Sequence, residues 1–197
     1  MKTILIATYN VDKYRIITAL FNKVLRHKFS FKNIYDVGIN FEIIEEGTII
    51  KRAEQKAIEV WNHMKIDERK EYFATIGIDD GFSLNKDDEG DPNSKLVTEK
   101  ILNGTFVKKN NTIWLKRGIA LYNHQELNSV LTTIPFTFLG NPNNIKRQEG
   151  VYSLMEVLRP INGNTSLKET VIDDAIQYYL SYCYKDIKRL FNVIRKY

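Results

Sequence analysis

The chain has 197 residues, of which 43% are hydrophobic, and its 29 lysines and arginines against 24 aspartates and glutamates give a net charge of +5. This composition excludes disordered, collagen-like and low-complexity classes, and so mild a charge suits a polyanionic small molecule at least as well as nucleic acid. The single cysteine excludes an internal disulfide, and no apolar run approaches the roughly 18 residues of a membrane span, so we expect a soluble, cytoplasmic protein.

The first predicted elements are a strand and a helix joined by a short polar turn. Residues 3–8 form a nearly all-apolar run, which is typical of a strand buried on both faces. Apolar positions then recur at helical spacing from Val11 to Leu25, and Asn10 or Asp12 is placed to cap that helix. This order is the first half of a βαβ unit.

Two further strands are predicted, and each ends at acidic residues. Residues 40–44 predict a second strand, followed by a helix with one apolar face from Ile50 to Met64. Residues 73–78 predict a third buried strand, followed by an exposed acidic loop over 85–94. The acidic residues that end these two strands are Glu45, Glu46, Asp79 and Asp80.

The second half of the chain has longer β-type runs than the first. The β-type runs at 112–122, 129–139 and 151–158 predict antiparallel strands, and residues 167–194 have helical spacing. We therefore predict an α/β fold in which a central mixed sheet is flanked by helices. We expect one domain over residues 1–197.

Three polar clusters lie at the carboxyl ends of predicted strands, where ligands bind in open α/β sheets. Thr8, Asn10 and Lys13, with the helix N-terminus that follows, offer hydroxyl, amide, ammonium and backbone N–H groups suited to phosphate. The carboxylates that end the second and third strands offer hard oxygens for Mg²⁺. Together they indicate phosphoryl or nucleotidyl transfer. Each cluster alone also fits an ordinary turn or a solvated helix end, so the prediction depends on their combination.

At this point the sequence resembles a known family. Residues 4–13 are similar to the opening strand and the Thr/Ser-Gly-Asn-x-x-Lys loop of the non-canonical purine nucleoside triphosphate pyrophosphatases, the inosine triphosphate pyrophosphatase family. Residues 45–48, with Ala53 and the Lys56-Ala57 pair, resemble the family's second motif, and residues 78–82 resemble its Asp-Asp-Ser-Gly-Leu segment. The three motifs occur in order over residues 3–85.

The resemblance implies an Mg²⁺-dependent hydrolase that converts a nucleoside triphosphate to the monophosphate and pyrophosphate. It implies two lobes around a nucleotide cleft, with a phosphate- and metal-binding half at about 1–110 and a β-rich and helical half at about 111–197. It also implies a homodimer, without a membrane or nucleic-acid partner.

The resemblance further implies a role for each candidate residue. Asp80 would orient and deprotonate the attacking water, and Lys13 would offset charge in the transition state. The residues expected to bind substrate are Thr8, Asn10, Lys13 and Lys56. The residues expected to hold Mg²⁺ are Glu45 or Glu46, Asp79 and Asp80.

The sequence also departs from the family pattern. Tyr9 stands where the motif has glycine, Lys51-Arg52 replaces Glu-Asn, and the serine between Asp80 and Gly81 is missing. The base-recognition segments, Phe-Gly-(Tyr/Trp)-Asp-Pro and Ser-His-Arg, are not recognisable. Residues 157–161 resemble the first only faintly, and residues 185–189 occupy the place of the second.

These departures keep two other interpretations open. One is a catalytically silent nucleotide-binding protein of the same fold, and the other is a nucleic-acid-binding module built on the basic C-terminal helix. They also predict that preference for inosine or xanthosine triphosphate over ATP is blunted, because aromatic faces stack on any base, or is redirected to another nucleotide. The residues then available to contact the base are Tyr152, Arg159, Tyr178 and Tyr182.

Overall fold

The computed structural model describes residues 1–39, 45–140 and 154–192. The described residues form a six-stranded mixed sheet in the order β2-β1-β3-β4-β5-β6. Helices pack on both faces of this sheet, and the arrangement confirms the predicted α/β fold. The strands are β1 (Lys2–Ala7), β2 (Phe29–Asn33), β3 (Tyr72–Ser83), β4 (Thr112–Asn123), β5 (Glu126–Phe138) and β6 (Leu158–Pro160). The helices are α1 (Val11–Leu25), α2 (Ile49–His63), α3 (Ile66–Arg69), α4 (Ser94–Leu102), α5 (Leu154–Val157) and α6 (Ile172–Asn192), with a 3-10 turn at Ile34–Val37.

The sheet is parallel on one side and antiparallel on the other. β1 pairs in parallel with both β2 and β3. β3, β4, β5 and β6 then pair antiparallel, as the long β-type runs predict. Within the described residues, no helix has the length and apolar character needed to cross a membrane.

Helix α2 packs unusually close to one face of the sheet because the facing residues are small. Ala53 and Ala57 on the helix meet Ala120 of β4 and Gly77 of β3. A Cβ atom added at Gly77 would lie 1.9 Å from the carbonyl oxygen of Ala53, so only glycine fits there. The N-terminus of α2 is thereby held against the sheet beside Gly118.

The opposite face carries the main apolar core. Helices α1 and α6 pack there, and their buried residues meet Ile76 and Ile78 of β3. Cys183 of α6 lies in this core, and burial raises the pKa of its thiol to about 11. Since strand side chains alternate between faces, α2 covers the odd-numbered residues of β3 from Thr75 onwards, and the core beneath α1 and α6 takes the even-numbered ones from Ala74 onwards.

Strand β3 is longer than the sequence predicts. Asp79 and Asp80 were expected to follow the strand, but β3 continues to Ser83 and both residues lie inside it. Opposite them, β4 presents Gly118 and Arg117 in the antiparallel register. Buried carboxylates are tolerated in a strand only when they are paired, and both are paired here, as described below.

Other elements also differ from the predictions. The predicted strand at 151–158 is wrong in its second part, since Leu154–Val157 is one helical turn whose Leu154 and Val157 are buried at helical spacing, and β6 begins only at Leu158. The predicted strand at 40–44 lies outside the described residues. On the side of β1 away from β3, the parallel neighbour is β2, which the sequence analysis did not predict.

Gly77→Ala should destabilise the protein by about 3 kcal/mol, since α2 must move to admit the methyl group. Gly104→Ala is the matched control, because that position has a φ of +69° but nothing within 4 Å, and it should cost only about 1 kcal/mol. Urea unfolding of both variants measures the difference. An equal loss in both would contradict the close packing of α2.

Candidate active site

The candidate site lies where β1 ends and β3 continues. The last pair between these strands joins Ala7 to Gly77, so Asp79 and Asp80 lie beyond the end of β1. Helix α1 begins four residues after β1 ends, and α2 begins beside Gly81. The first turn of α1 thus lies beside Asp80, and the N-terminus of α2 packs beside Gly81 on the other face of the sheet. Such a position favours anion binding through free N–H groups and the helix dipole.

The predicted phosphate loop is an ordered helix start. The Asn10 side chain caps α1 by accepting from the Lys13 backbone N–H at 2.8 Å, which confirms one of the two predicted caps. The hydroxyl oxygen of Thr8 accepts from the Asn10 N–H at 3.2 Å. These bonds leave the Thr8 hydroxyl proton and the Asn10 amide N–H groups for a ligand. The loop also fixes Lys13 in the first turn of α1.

Asp80 forms ion pairs with two cations on the α1 face. Arg117 donates from Nε and Nη2 to the two carboxylate oxygens at 2.7 and 3.1 Å, and the Lys13 ammonium lies 3.2 Å from Oδ2. The side chains of Asp80 and Lys13 are only 9% and 10% exposed. This triad (Lys13, Asp80 and Arg117) is therefore a buried, bidentate ion-pair cluster.

The triad controls the protonation of Asp80. Burial alone would raise the pKa of Asp80, but the charges and hydrogen bonds of Arg117 and Lys13 outweigh burial and hold that pKa well below its usual range. Asp80 is therefore ionised at neutral pH. In this state it is a weak proton acceptor, because a general base works best with a pKa near the operating pH.

Asp79 belongs to a separate cluster on the α2 face. Lys56 donates to Asp79 Oδ1 at 2.7 Å and to the Ile78 carbonyl at 3.3 Å, and its ammonium lies 3.0 Å from a carboxylate oxygen of Glu45. Burial raises the pKa of Asp79, and the charge and hydrogen bond of Lys56 oppose that shift without cancelling it. The Oδ2 atom of Asp79 is buried and has no hydrogen-bond partner among the described residues.

The second cluster fits a divalent cation better than the first. Mg²⁺ needs only one or two protein carboxylates when substrate phosphates and waters complete its octahedron. Glu45 and Asp79 supply two carboxylates, one of them with an unpaired buried oxygen. In the part of the chain that the structure describes, no group of three or more His, Cys, Asp or Glu side chains is placed to hold a metal by itself.

Of the two glutamates predicted as alternative metal ligands, the structure places Glu45 in contact with the Asp79 cluster. Glu45 contacts Lys56, whereas Glu46 is exposed and its backbone N–H donates to the Gln55 side chain. Among the predicted metal ligands, Glu45 and Asp79 therefore lie together. Asp80 lies on the opposite face of β3, within the triad.

Two departures from the family pattern have local explanations. The Tyr9 ring packs edge-on against Tyr35 at 5.1 Å, and its hydroxyl donates to the Ile39 carbonyl, so the ring lies in the small apolar cluster beside β1. Arg52 ties α2 to neighbouring loops by donating to the carbonyls of Gly47 and Pro92. Both side chains thus have structural roles outside the two ion-pair clusters.

An apolar cleft lies beside the triad on the α1 face, with about 570 Å³ of empty space when the part open to solvent is included. Lys13, Asn10, Asp12, Asp80 and Arg117 supply its polar groups. Its remaining lining residues are Ile16, Phe82, Leu115, Phe136, Leu154, Leu158, Leu167 and Tyr179. A cleft with apolar walls and a few convergent polar groups is the usual form of a small-molecule site.

Of the residues expected to contact the base, the three that the structure describes, Arg159, Tyr178 and Tyr182, do not line this cleft. The Tyr178 hydroxyl donates to the Pro135 carbonyl and accepts from the Ile161 N–H, which commits it to packing. Tyr152 lies outside the described residues. Residues 185–189 are in the second half of α6, away from its N-terminus.

Sequence reasoning missed Arg117. It lies in a β-type run with no motif around it, so nothing local distinguishes it from a solvated arginine. The only available signal was its position next to Lys116 in the sequence of an otherwise apolar strand. Two adjacent cations in a buried strand imply partners on both faces, and Asp80 is directly opposite Arg117 in the register.

Comparisons with known proteins support the fold. No family model and no curated protein matches this sequence. The chain is similar to the structure of a HAM1 protein from Coxiella burnetii, with 14% identity, a TM-score of 0.59 and coverage of 100% of both chains. The Staphylococcus aureus Ham1 protein has 15% identity and a TM-score of 0.54, with 86% of this chain and 87% of that chain covered.

A third similar structure is a nucleoside-triphosphatase, or dITP/XTP pyrophosphatase, from Mycobacterium abscessus. It has 18% identity and a TM-score of 0.51, and 89% of this chain and 93% of that chain are covered. At these identities the likeness establishes a shared fold. It confirms, at the level of the fold, the resemblance that the sequence motifs indicate.

Asp80→Asn should destabilise the protein by about 3–5 kcal/mol at pH 7, because it leaves Lys13 and Arg117 as buried cations without their shared anion. The sequence predicts Asp80 only as a catalytic and metal-binding residue at the end of a strand, whereas its burial in the triad gives it a structural role as well. Urea unfolding at pH 7 measures the loss.

The loss should shrink with acid. The folded-state pKa of Asp80 is depressed, so its stabilising contribution is fully present above the unfolded-state value near 4 and is lost as pH falls through the folded-state value. The difference between wild type and Asp80→Asn should therefore be smaller at pH 3 than at pH 7. Asp67→Asn, which removes an exposed pair with Lys70, should change little at either pH. A loss that does not vary with pH would contradict the triad.

Proposed function

We propose that this protein hydrolyses a nucleoside triphosphate to the nucleoside monophosphate and pyrophosphate, with Mg²⁺ as cofactor. Water attacks the α-phosphorus, the bond from that phosphorus to the bridging oxygen of the β-phosphate breaks, and pyrophosphate leaves. The observation that carries the proposal is the pairing of adjacent Asp79 and Asp80 with lysines from helices on opposite faces of β3, Lys56 of α2 and Lys13 of α1, beyond the end of β1. The named activity of the Mycobacterium abscessus neighbour supports it.

Lys13 is the proposed phosphate-binding cation. Its ammonium lies at the N-terminus of α1, beside the remaining donors of Thr8 and Asn10. Backbone N–H groups, the helix dipole and a charge-assisted contact then act on the same phosphate. As negative charge moves onto the leaving pyrophosphate, such fixed donors stabilise the transition state more than the ground state.

Asp80 has two successive roles in this proposal. In the free protein it orients Lys13 through Oδ2 while Arg117 fixes the carboxylate plane. A phosphate oxygen that binds Lys13 competes with Oδ2 for the ammonium. Once that contact weakens, one of the two cations that depress the pKa of Asp80 is withdrawn, and Oδ2 becomes a better acceptor for the proton of the attacking water.

Glu45 and Asp79 are the proposed Mg²⁺ ligands. When bound, the cation neutralises phosphate charge and lowers the pKa of a coordinated water. Lys56 bridges the same two carboxylates, so it holds them together and would turn towards the phosphates when its place is taken. Lys56 is therefore proposed as a second substrate-binding cation. We also propose a homodimer, which sedimentation velocity tests.

The central experiment measures pyrophosphate release from inosine, xanthosine, guanosine and adenosine triphosphates, with Mg²⁺ and with EDTA. The proposal expects release that requires Mg²⁺ and comes with an equal amount of nucleoside monophosphate. Release of inorganic phosphate alone would contradict cleavage at the α-phosphorus. No product from any of these nucleotides would overturn the proposal.

Glu45→Gln should lower Mg²⁺-dependent kcat/KM by about a hundredfold and raise the Mg²⁺ concentration needed for half activity, since an amide is a weaker ligand for a hard cation. Glu46→Gln is the matched control, because this neighbour is exposed and outside the cluster, and its activity should stay near wild type. Equal losses in both variants would contradict the assignment.

Lys13→Ala should weaken binding of a nucleoside triphosphate by a few kcal/mol at most, about the scale of one charge-assisted contact. Binding of the corresponding nucleoside should hardly change, because the ammonium is assigned to phosphate. Isothermal titration calorimetry in Ca²⁺ or EDTA measures both ligands without turnover. Equal losses for the two would contradict the phosphate role of Lys13.

One observation favours a second candidate, a silent nucleotide-binding protein. Lys56 lies between the two carboxylates that would hold Mg²⁺, and a protein that keeps this arrangement binds nucleotide without an activating cation. This candidate predicts calorimetric binding of the triphosphates with no pyrophosphate release at any Mg²⁺ concentration. A nucleic-acid-binding module predicts instead RNA or DNA binding that falls steeply with salt.

A further inference from the structure

The ammonium of Lys56 lies between the two carboxylates proposed to hold Mg²⁺. It is 2.7 Å from Asp79 Oδ1 and 3.0 Å from a carboxylate oxygen of Glu45, and it donates to the Ile78 carbonyl at 3.3 Å. An ammonium group has three N–H bonds, and three oxygen atoms surround it here. The Lys56 side chain is only 12% exposed, so its ammonium is enclosed by the site in the way that a bound ion would be.

This position excludes a second cation from the same oxygens. Mg²⁺ binds oxygen ligands at about 2.0–2.1 Å, so an ion bound to Asp79 Oδ1 and to Glu45 would need the place of the ammonium. The other oxygen of Asp79, Oδ2, is buried and therefore not open to an ion that arrives from solvent. The positive charge of Lys56 also repels a divalent cation at this short range. In the free protein, the proposed metal ligands are thus already occupied.

The two ion-pair clusters also differ in net charge. The triad contains two cations and one carboxylate, so one positive charge is left over on the α1 face. On the α2 face, Lys56 serves both Asp79 and Glu45, which leaves one negative charge. Lys13 can therefore turn to a phosphate while Arg117 still neutralises its carboxylate. Lys56 has no such substitute among the described residues.

A bound triphosphate gives Lys56 a new acceptor. The four-carbon stem of lysine is flexible, so its ammonium can turn from one anion to another. If it turns alone, Asp79 becomes a buried carboxylate without a cation, which is strongly unfavourable. The two carboxylates are neutralised again only when a cation takes the place of the ammonium. Movement of Lys56 to phosphate and occupation of the metal site therefore favour each other.

We infer that Lys56 is an internal cation that keeps Mg²⁺ out of the free protein and couples occupation of the metal site to binding of the triphosphate. The inference rests on the proposed function, which assigns Mg²⁺ to Glu45 and Asp79. Such coupling is reciprocal, so the triphosphate raises the affinity for Mg²⁺ by the same factor by which Mg²⁺ raises the affinity for the triphosphate. Lys56 thus regulates the site in addition to its proposed contact with phosphate.

The test measures metal binding without nucleotide, using Mn²⁺ as the probe because electron paramagnetic resonance counts its free ion. Wild type should bind Mn²⁺ only weakly. Lys56→Met removes the charge but keeps an unbranched apolar stem, so it should bind one Mn²⁺ per chain at least about tenfold more tightly. Lys51→Met is the matched control, since this lysine of the same helix is exposed and outside both clusters, and it should behave as wild type.

A double variant shows whether the gained ion binds at this site. Glu45→Gln/Lys56→Met lacks one of the two carboxylates, so it should lose most of the affinity that Lys56→Met gains. An affinity that survives in the double variant would mean that the ion binds elsewhere, such as at the acidic loop over 85–94, and would overturn the inference.

A second substitution guards against misfolding. Lys56→Met leaves Asp79 buried without its cation, so Lys56→Gln is measured in parallel, because an amide can still donate to Asp79 Oδ1 but carries no charge. Circular dichroism identifies the folded variants. In urea unfolding, Mg²⁺ should stabilise the Lys56 variants and leave wild type unchanged. A folded Lys56 variant that gains no Mn²⁺ affinity would overturn the inference, as would a wild type that binds Mn²⁺ tightly without nucleotide.

The coupling itself is measured with the α,β-methylene analogue of inosine triphosphate, which cannot be cleaved at the α-phosphorus. By calorimetry, Mg²⁺ should strengthen binding of the analogue to wild type by a larger factor than binding to Lys56→Met. The complex of Mg²⁺ with the free analogue is common to both proteins and cancels in this comparison. Equal factors would contradict the coupling.

None of these measurements requires turnover. A protein that shows the metal exclusion and the coupling, but releases no pyrophosphate, would retain this inference and overturn the proposed hydrolysis. Mg²⁺-dependent pyrophosphate release by a wild type that already binds Mn²⁺ tightly without nucleotide would overturn the inference alone.

Discussion

The constraint on which this structure depends is the burial of two consecutive carboxylates in one strand. Neighbouring side chains of a strand point to opposite faces, so Asp79 and Asp80 cannot share a partner. Each is neutralised on its own face, Asp79 by Lys56 of α2 and Asp80 by Lys13 of α1. Because an unpaired buried charge is costly, both helices are tied to the same point of β3. The first turn of α1 and the middle of α2 are consequently held on opposite faces of β3, just beyond the end of β1.

This division between faces also organises the proposed reaction. The apolar cleft and the triad lie on the α1 face, whereas the carboxylates suited to Mg²⁺ lie on the α2 face. If the base of a nucleotide binds in the cleft, its phosphates must cross β3 beyond Gly77, the last residue of β3 that pairs with β1. The scissile bond would then lie between Lys13 and Lys56, the two cations that already neutralise the carboxylates.

Much of the site could be predicted from sequence because its motifs are local. Residues 3–25 specify a buried strand, an Asn10 cap and a helix, and these place Lys13 without reference to the rest of the chain. The length of β3 and the partner of Asp80 are not local properties. They depend on the pairing of β3 with β4, which brings Arg117 opposite Asp80 across 37 residues of sequence. The acidic pair suggested a turn because, without Arg117 and Lys56, a strand could not bury it.

Gly77 limits the insertions and deletions that β3 can accept. A one-residue insertion or deletion in a strand moves every later side chain to the other face. Each face of β3 would again receive an aspartate, but one of the two would lie two positions away from its lysine. Helix α2 excludes such a shift independently of charge, because a side chain larger than hydrogen at position 77 would collide with Ala53. Steric packing at Gly77 therefore enforces the same alignment of β3 that the two ion pairs require.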